Sequence, residues 1–176
     1  EFDIACIEEP YNPSFVPRNG DTNLFARLSD LQEHIKTPVC LDESVVTAQD
    51  MEEAMDFDNL KCYALKVAKF GGIQPTLDFY KWAREQGKVT WMGGMFDTGV
   101  SKRMHAAFAT LPGMDLPADV SDFTEYFEHD TALPPLQLRE GELVLNTVDH
   151  PAGLGCVLDK DYLRSVLVDE VTITKD

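Results

Sequence analysis

Basic residues and long apolar runs are scarce in this sequence of 176 residues. It contains 15 lysines and arginines against 31 aspartates and glutamates, which gives a formal net charge of −16 at neutral pH. Such a charge repels nucleic-acid backbones and anionic membrane surfaces, so we expect neither as a partner. No apolar run approaches the ~20 residues that span a bilayer, and no signal peptide is recognised, so the sequence predicts a cytoplasmic protein.

Closely spaced cysteines and histidines, which are the usual mark of a zinc site, are also missing. The four cysteines stand far apart, three of them within apolar runs, at Cys6, Cys40, Cys62 and Cys156. This pattern predicts buried free thiols in a reducing compartment. The four histidines show no metal-ligand spacing, and we interpret them as structural or surface residues.

Segments typical of strands and of helices alternate along the first two thirds of the chain. Strands are predicted over residues 3–9, 38–44, 61–68, 89–94 and, less regularly, 114–120. Helices are predicted over residues 23–36, 48–57, 101–113 and, after an initial turn, 71–87. Alternation of continuous apolar strands with amphipathic helices indicates a parallel sheet with helical crossovers.

The alternation of predicted strands and helices ends after residue 120. Residues 133–148 are typical of a hairpin that turns near Glu140 and Gly141, and residues 149–156 are typical of a turn-rich loop. We therefore assign this tail to a different layer or subdomain.

Acidic side chains follow the ends of the first two predicted strands. The first strand ends in Glu8 and Glu9, and the second ends in Asp42 and Glu43. Because neighbouring strands of a parallel sheet end at one edge about 4.8 Å apart, these carboxylates can converge on a single cation. Oxygen ligands without a converging histidine or cysteine favour Mg²⁺ or Mn²⁺. The competing interpretation is a set of solvated loop acids.

A lysine interrupts the third predicted strand. Lys66 stands between Leu65 and Val67, and lysines are almost never fully buried without a partner. We interpret Lys66 either as the ion-paired neighbour of a carboxylate or as an acid/base group whose pKa is tuned by its surroundings. Lys69 lies farther along the chain and is expected at the rim.

Four ordered motifs resemble one known family. The segments "CIEEP", "PVCLDES", "LKVAKFGG" and "WMGGMFDTGVSKRMHAAFATLPGMDLPADVS" are similar to the successive signatures of the enolase superfamily, in its muconate-lactonizing subgroup. The later segments look most like o-succinylbenzoate synthases and N-succinylamino acid racemases. The segment "LREGELVLNTVDHPAGLGCVLD" resembles the C-terminal part of these enzymes, which leaves the barrel and helps to build a capping domain.

The resemblance implies an α/β fold that is only part of a (β/α)8 barrel. Residues 1–132 would supply strands four to eight, and residues 133–176 would contribute to the capping domain. The N-terminal capping domain and the first three strands, with a partner lysine and a third metal-binding aspartate, would be absent. We therefore expect this chain alone to be inactive and to associate with the missing N-terminal half or with copies of itself. A non-catalytic half-barrel that associates through its open edges is the alternative.

The resemblance also implies roles for individual residues. Glu8 and Asp42 match metal-binding carboxylates for Mg²⁺ or Mn²⁺, and Lys66 matches the acid/base lysine. Residues expected along the substrate are Gly93, Gly94, Met95 and Tyr126. The shared reaction begins with removal of a proton α to the carboxylate of a small substrate. The first expectation is dehydration to o-succinylbenzoate, a step of menaquinone biosynthesis; the alternatives are N-succinylamino acid racemisation, dipeptide epimerisation and muconate cycloisomerisation.

Overall fold

The structure, a computed structural model, describes residues 3–12, 14, 23–145 and 153–173. Its first half contains a parallel sheet of four strands in the order β1-β2-β3-β4. These strands are β1 (Ile7–Glu8), β2 (Val39–Leu41), β3 (Cys62–Leu65) and β4 (Val89–Met92). The predicted parallel sheet is therefore confirmed, with strands shorter than the apolar runs that suggested them.

Four helices connect or follow these strands, as the periodicity predicted. They are α1 (Leu24–His34), α2 (Ala48–Met55), α3 (Ile73–Glu85) and α4 (Gly99–Ala109). Helix α1 begins where the side chain of Asn23 accepts a hydrogen bond from the Ala26 amide, at 2.7 Å. Helix α2 begins with a capping box between Thr47 and Asp50. Helix α3 follows Gly72, whose φ of +133° favours glycine.

The core of the sheet is apolar along whole strands. Every residue of β2 and β3 is at most 1% exposed, which is typical of a parallel sheet covered on both faces. Tyr63 of β3 packs edge-on against Phe79 and Trp82 of α3, with ring centroids 5.6 and 5.9 Å apart. This aromatic cluster fixes α3 against the sheet.

The predicted fifth strand over 114–120 is wrong in its extent. The segment forms one isolated bridge, between Thr90 and Met114, and one further bond from the Asp119 amide to the Met92 carbonyl, at 2.9 Å. Pro117 stands between these contacts and has no amide hydrogen, so a continuous ladder cannot form there.

The chain divides into two compact units. The first contains Glu1–Gly93 and Phe108–Asp119, and the second contains Gly94–Ala107 and Val120–Asp176. The predicted hairpin lies in the second unit as β5 (Gln137–Arg139) and β6 (Glu142–Val144), and Glu140 and Gly141 take the positive φ values of a tight turn, 51° and 84°. Residues 146–152, which hold much of the predicted turn-rich loop, lie outside the described residues.

Two further elements of the second unit have no counterpart in the predicted pattern. An antiparallel pair joins Ala132–Leu133 to Val157–Leu158, and a short helix follows over Lys160–Ser165. The predicted domain boundary between residues 132 and 133 stays a prediction. Within the described ranges, the helices are too short or too polar to cross a bilayer.

Candidate functional site

Asp42 is the centre of a charged cluster at the carboxyl edge of the sheet. It directly follows β2, and its side chain is only 1% exposed. The ammonium group of Lys66, directly after β3, forms a short hydrogen-bonded ion pair with one carboxylate oxygen. The ammonium group of Lys69 donates to the other oxygen at 2.7 Å. Because β2 and β3 are neighbours, the sequence positions 42 and 66 meet at one edge.

The ammonium group of Lys69 donates three hydrogen bonds. Besides the carboxylate, its ammonium group donates to the main-chain carbonyls of Asp42, at 2.9 Å, and of Ala64, at 2.8 Å. Its side chain is 8% exposed, so the expectation that it lies at the rim is wrong. The turn after β3 directs Lys69 back across the end of its own strand, a reversal that a linear pattern does not reveal.

The ionisation of these three groups is interdependent. Burial would raise the pKa of Asp42, but the charges of Lys69 and Lys66 and their hydrogen bonds hold it below its usual range. Burial would lower the pKa of Lys66, yet the hydrogen bond and the charge of Asp42 raise it overall. Burial lowers the pKa of Lys69, and Asp42 only partly offsets that effect.

Glu8 brings a second carboxyl group to Asp42. The residue as a whole is exposed, but partial burial of its carboxyl group and a hydrogen bond with Asp42 raise the pKa of Glu8 to about 7. The structure therefore brings the two predicted metal ligands together. Their oxygen donors fit a hard divalent cation such as Mg²⁺, whose charge would favour the ionised form of Glu8.

Glu9 supports the loop that carries Asp42. Its main chain adopts a φ of +38°, and its Oε1 accepts hydrogen bonds from the amides of Asp42, at 2.7 Å, and Ser44, at 3.0 Å. The hydroxyl of Ser44 donates to the same oxygen. The sequence placed Glu9 only among the carboxylates that can converge on a cation, and its hydrogen bonds to this loop were not predicted. Glu43, the remaining acid of this set, has a side chain that is 61% exposed.

Gly93 lies against the Lys66 side chain. A Cβ atom at position 93 would stand 2.7 Å from the Lys66 Cε atom, closer than carbon atoms pack. The Gly93 amide also donates to the Leu65 carbonyl at 2.9 Å, which continues the ladder between β3 and β4. Glycine at this position therefore leaves space for the lysine side chain.

The other predicted substrate residues belong to the second unit. Met95 is 50% exposed and Tyr126 is 43% exposed. The ring of Tyr126 contacts the ring of Phe96, with centroids 4.7 Å apart, and the Lys102 ammonium group lies 5.1 Å from its centroid. Gly94 begins this unit. The substrate role of Gly94, Met95 and Tyr126 stays a prediction.

Comparison with known proteins gives matches over nearly the whole chain. Residues 1–162 match the family described as "Enolase C-terminal domain-like". An o-succinylbenzoate synthase from Bacillus subtilis is 31% identical over 76% of this chain and 35% of its own length. An N-succinylamino acid racemase from Thermus thermophilus is 33% identical over 81% of this chain and 37% of its own length.

Solved structures give the same result. A member of the enolase superfamily from Listeria innocua has a TM-score of 0.78 at 28% identity, over 93% of this chain and 41% of that one. The chain thus spans about two fifths of the length of the relatives that it matches.

Proposed function

Because this chain belongs to the enolase C-terminal domain-like family, we propose that it is the C-terminal part of a divalent-metal-dependent enzyme that removes a proton α to a carboxylate. The resemblance and the fold class predicted from the motifs are confirmed by the family match and by the similarity to solved enolase-superfamily structures. The observation that carries the proposed chemistry is the cluster of Glu8, Asp42 and Lys66 at one edge of the sheet.

Glu8 and Asp42 would hold the cation, Mg²⁺ or Mn²⁺. Both offer hard carboxylate oxygens, and their close approach supports a shared cation. When bound, the cation supplies positive charge that stabilises the negative charge developing on the substrate carboxylate as the α-proton is removed. Glu9 acts as a positioning residue, because its bonds to the Asp42 and Ser44 amides fix the loop that presents Asp42.

Lys66 would be the group that takes the α-proton. To do so its amine must be unprotonated and must leave Asp42 for the substrate carbon. The absence of a side chain at Gly93 leaves the lysine room for that movement. Lys69 would stay bound to Asp42, so the carboxylate keeps one positive partner while Lys66 moves.

The substrate proposed is a small carboxylate that lies along Gly93, Gly94, Met95 and Tyr126. We place dehydration to o-succinylbenzoate, and with it menaquinone biosynthesis in the cytoplasm, first, because several relatives carry the synthase name. N-succinylamino acid racemisation is the second candidate, supported by the 33% identity to the Thermus thermophilus racemase. Both begin with the same proton removal, so Lys66 would serve either.

The rest of the active enzyme would come from outside this chain. We propose that residues 133–176 join a capping domain and that the missing N-terminal half supplies the partner lysine and a third metal-binding acid. This chain alone, even if it forms a homo-oligomer, would then be inactive. A non-catalytic half-barrel is the alternative, and its mark would be a stable oligomer whose stability does not respond to Mg²⁺.

The test uses the full-length enzyme with Mg²⁺. Exchange of the α-proton of an N-succinylamino acid with deuterated water, followed by NMR, reports the shared first step, and formation of o-succinylbenzoate reports the dehydration. Lys66→Ala should abolish exchange while leaving the fold intact. The matched control is Lys88→Ala, which removes another buried lysine whose ammonium group contacts only the Leu60 carbonyl in the described contacts. Exchange that survives in Lys66→Ala would refute the assignment.

A further inference from the structure

Three cysteines from three adjacent strand segments meet in the core of the first unit. The sulfur atoms of Cys6, Cys40 and Cys62 all lie within 4.8 Å of one another. Cys40 and Cys62 are directly paired across β2 and β3, and Cys6 precedes β1. Among the residues that the structure describes, no other set of three or more histidines, cysteines or acids is as close together.

The surroundings of this thiol cluster are apolar. Cys40 and Cys62 are at most 1% exposed, and Cys6, which precedes the outer strand β1, is partly exposed in this chain. The neighbouring side chains are Ala64, Val89, Trp91 and Leu116. The indole N–H of Trp91 donates to the Cys40 sulfur at 3.2 Å, a contact that favours electron density on that sulfur.

The spacing of the sulfurs suits a single three-coordinate centre. Bonds of about 2.3 Å, the length of a zinc–thiolate bond, place three sulfurs at most about 4 Å apart around a shared atom. The triangle, with sides of up to 4.8 Å, would contract by about 1 Å around a planar centre and by somewhat more around a pyramidal one such as trivalent arsenic, which rotation of the cysteine side chains can supply. Zinc prefers four ligands, and the apolar neighbours offer no fourth.

Charge selects among the ions that bind sulfur. Three thiolates around a monovalent or divalent ion leave a net negative charge in an apolar core, which is costly. Glu8 and Asp42 stand two residues farther along the same strands and would increase that cost. A trivalent centre with three sulfur bonds is neutral.

We propose that Cys6, Cys40 and Cys62 form a binding site for trivalent thiophilic ions, with trivalent arsenic as the matched ligand. Arsenous acid, As(OH)₃, is neutral and would react with the three thiols in place. Three arsenic–sulfur bonds form, three arsenic–oxygen bonds break, and the three thiol protons leave with the hydroxides as three waters. No electrons are transferred, since arsenic stays trivalent. In the product, the arsenic atom links the cysteines of the first three strand segments covalently.

The test adds arsenite to the reduced full-length protein and measures its intact mass under non-denaturing conditions. The expected product carries one arsenic atom and has lost three hydrogens per site, and its thermal midpoint is raised. Cys6→Ala leaves two thiols, so the adduct should keep one hydroxide on arsenic, and the apparent affinity should fall at least tenfold. The mass thus separates three-bond from two-bond capture.

The matched control is Cys156→Ala, which removes the remaining cysteine, in the second unit, and should leave binding unchanged. Absence of an adduct in excess arsenite would overturn the proposal. So would an adduct whose mass and affinity are unaffected by Cys6→Ala, and so would tighter binding of Zn²⁺ than of arsenite at this cluster. None of these readouts depends on catalytic activity, so the outcome is independent of the proposed function.

Discussion

Replacing Lys69 with methionine should destabilise the protein by about 2 kcal/mol, although Lys69 takes no proton in the proposed reaction. Methionine keeps the length and apolar stem of the side chain and removes the ammonium group. That group donates three hydrogen bonds, one to the Asp42 carboxylate and two to main-chain carbonyls. At about 1 kcal/mol net for each bond, their loss costs about 3 kcal/mol.

Two features of the site reduce that loss. Asp42 keeps its ion pair with Lys66, so the carboxylate is not left buried without a partner. Burial lowers the pKa of Lys69, so holding its charge in the fold has a cost that the variant avoids. Subtracting about 1 kcal/mol for that burial leaves the expected loss of about 2 kcal/mol.

The assay is urea unfolding of the full-length protein, read as a change in midpoint at constant slope. The control is Lys88→Met, which also removes a buried lysine whose pKa is lowered by burial but whose ammonium group makes one bond, to the Leu60 carbonyl at 3.1 Å. In Lys88→Met the loss of one hydrogen bond and the avoided cost of burying a charge nearly cancel, so we expect almost no change in the free energy of unfolding. Equal losses in the two variants would refute the reasoning.

Acid provides a second readout of the same variant. The folded-state pKa of Asp42 lies below its unfolded value, so its contribution to stability is present above about pH 4 and is lost as pH falls through the folded-state pKa. Lys69 is the strongest of the charges that lower it. Without Lys69 the ionised Asp42 contributes less to stability, so the difference in unfolding free energy between wild type and Lys69→Met should become smaller below about pH 4. A gap that stays constant there would show that Lys69 acts through the carbonyls alone.

Two further substitutions test the groups around Asp42. Gly93→Ala places a Cβ 2.7 Å from the Lys66 Cε, and the lysine stem can shift to avoid it, so we expect the free energy of unfolding to change by less than about 1 kcal/mol. The displaced lysine should slow α-proton exchange roughly 10²-fold, measured on the same preparation. Unchanged exchange would contradict the placement of Lys66. For the metal-free protein, the pKa of Glu8 is raised to about 7, so its contribution to stability is full below its ordinary pKa and is lost as pH rises through about 7. Glu8→Gln should flatten that fall in unfolding titrations with a chelator, and an unaltered slope would count against the assignment.

The parts of the site that could be predicted from sequence are those set by strand periodicity and strand order. Asp42 and Lys66 each follow an apolar run directly, and in a parallel sheet neighbouring runs end at one edge. Glu8 follows the same rule from the next strand. The four helices that connect or follow these strands were predicted from the helical spacing of their apolar residues, and in the structure Asn23 and Thr47 cap the beginnings of two of them.

The parts that could not be predicted depend on where the chain turns after a strand. Lys69 reaches Asp42 only because the segment after β3 folds back, and Glu9 reaches the amide of Asp42 only because its φ is positive. Neither turn has a periodic signature. The expected strand over 114–120 failed for a local reason that was visible in the sequence, since Pro117 removes a ladder donor from its middle.

The charges of the cluster explain why a negatively charged chain would need a cation to bind an anionic substrate. Lys66 and Lys69 are both engaged by Asp42, and Glu8 adds a carboxyl group whose pKa is raised to about 7 by burial and by its hydrogen bond with Asp42. Lys66 also forms an ion pair with Glu43 at 3.7 Å, so the two lysines face at least as many acids, and the cluster offers a substrate carboxylate little net attraction against an overall charge of −16. A bound divalent cation would favour the ionised form of Glu8 and would add two positive charges to the cluster. In the proposed function, the cation would therefore supply the attraction for a substrate carboxylate that the two lysines, already engaged by acids, do not provide.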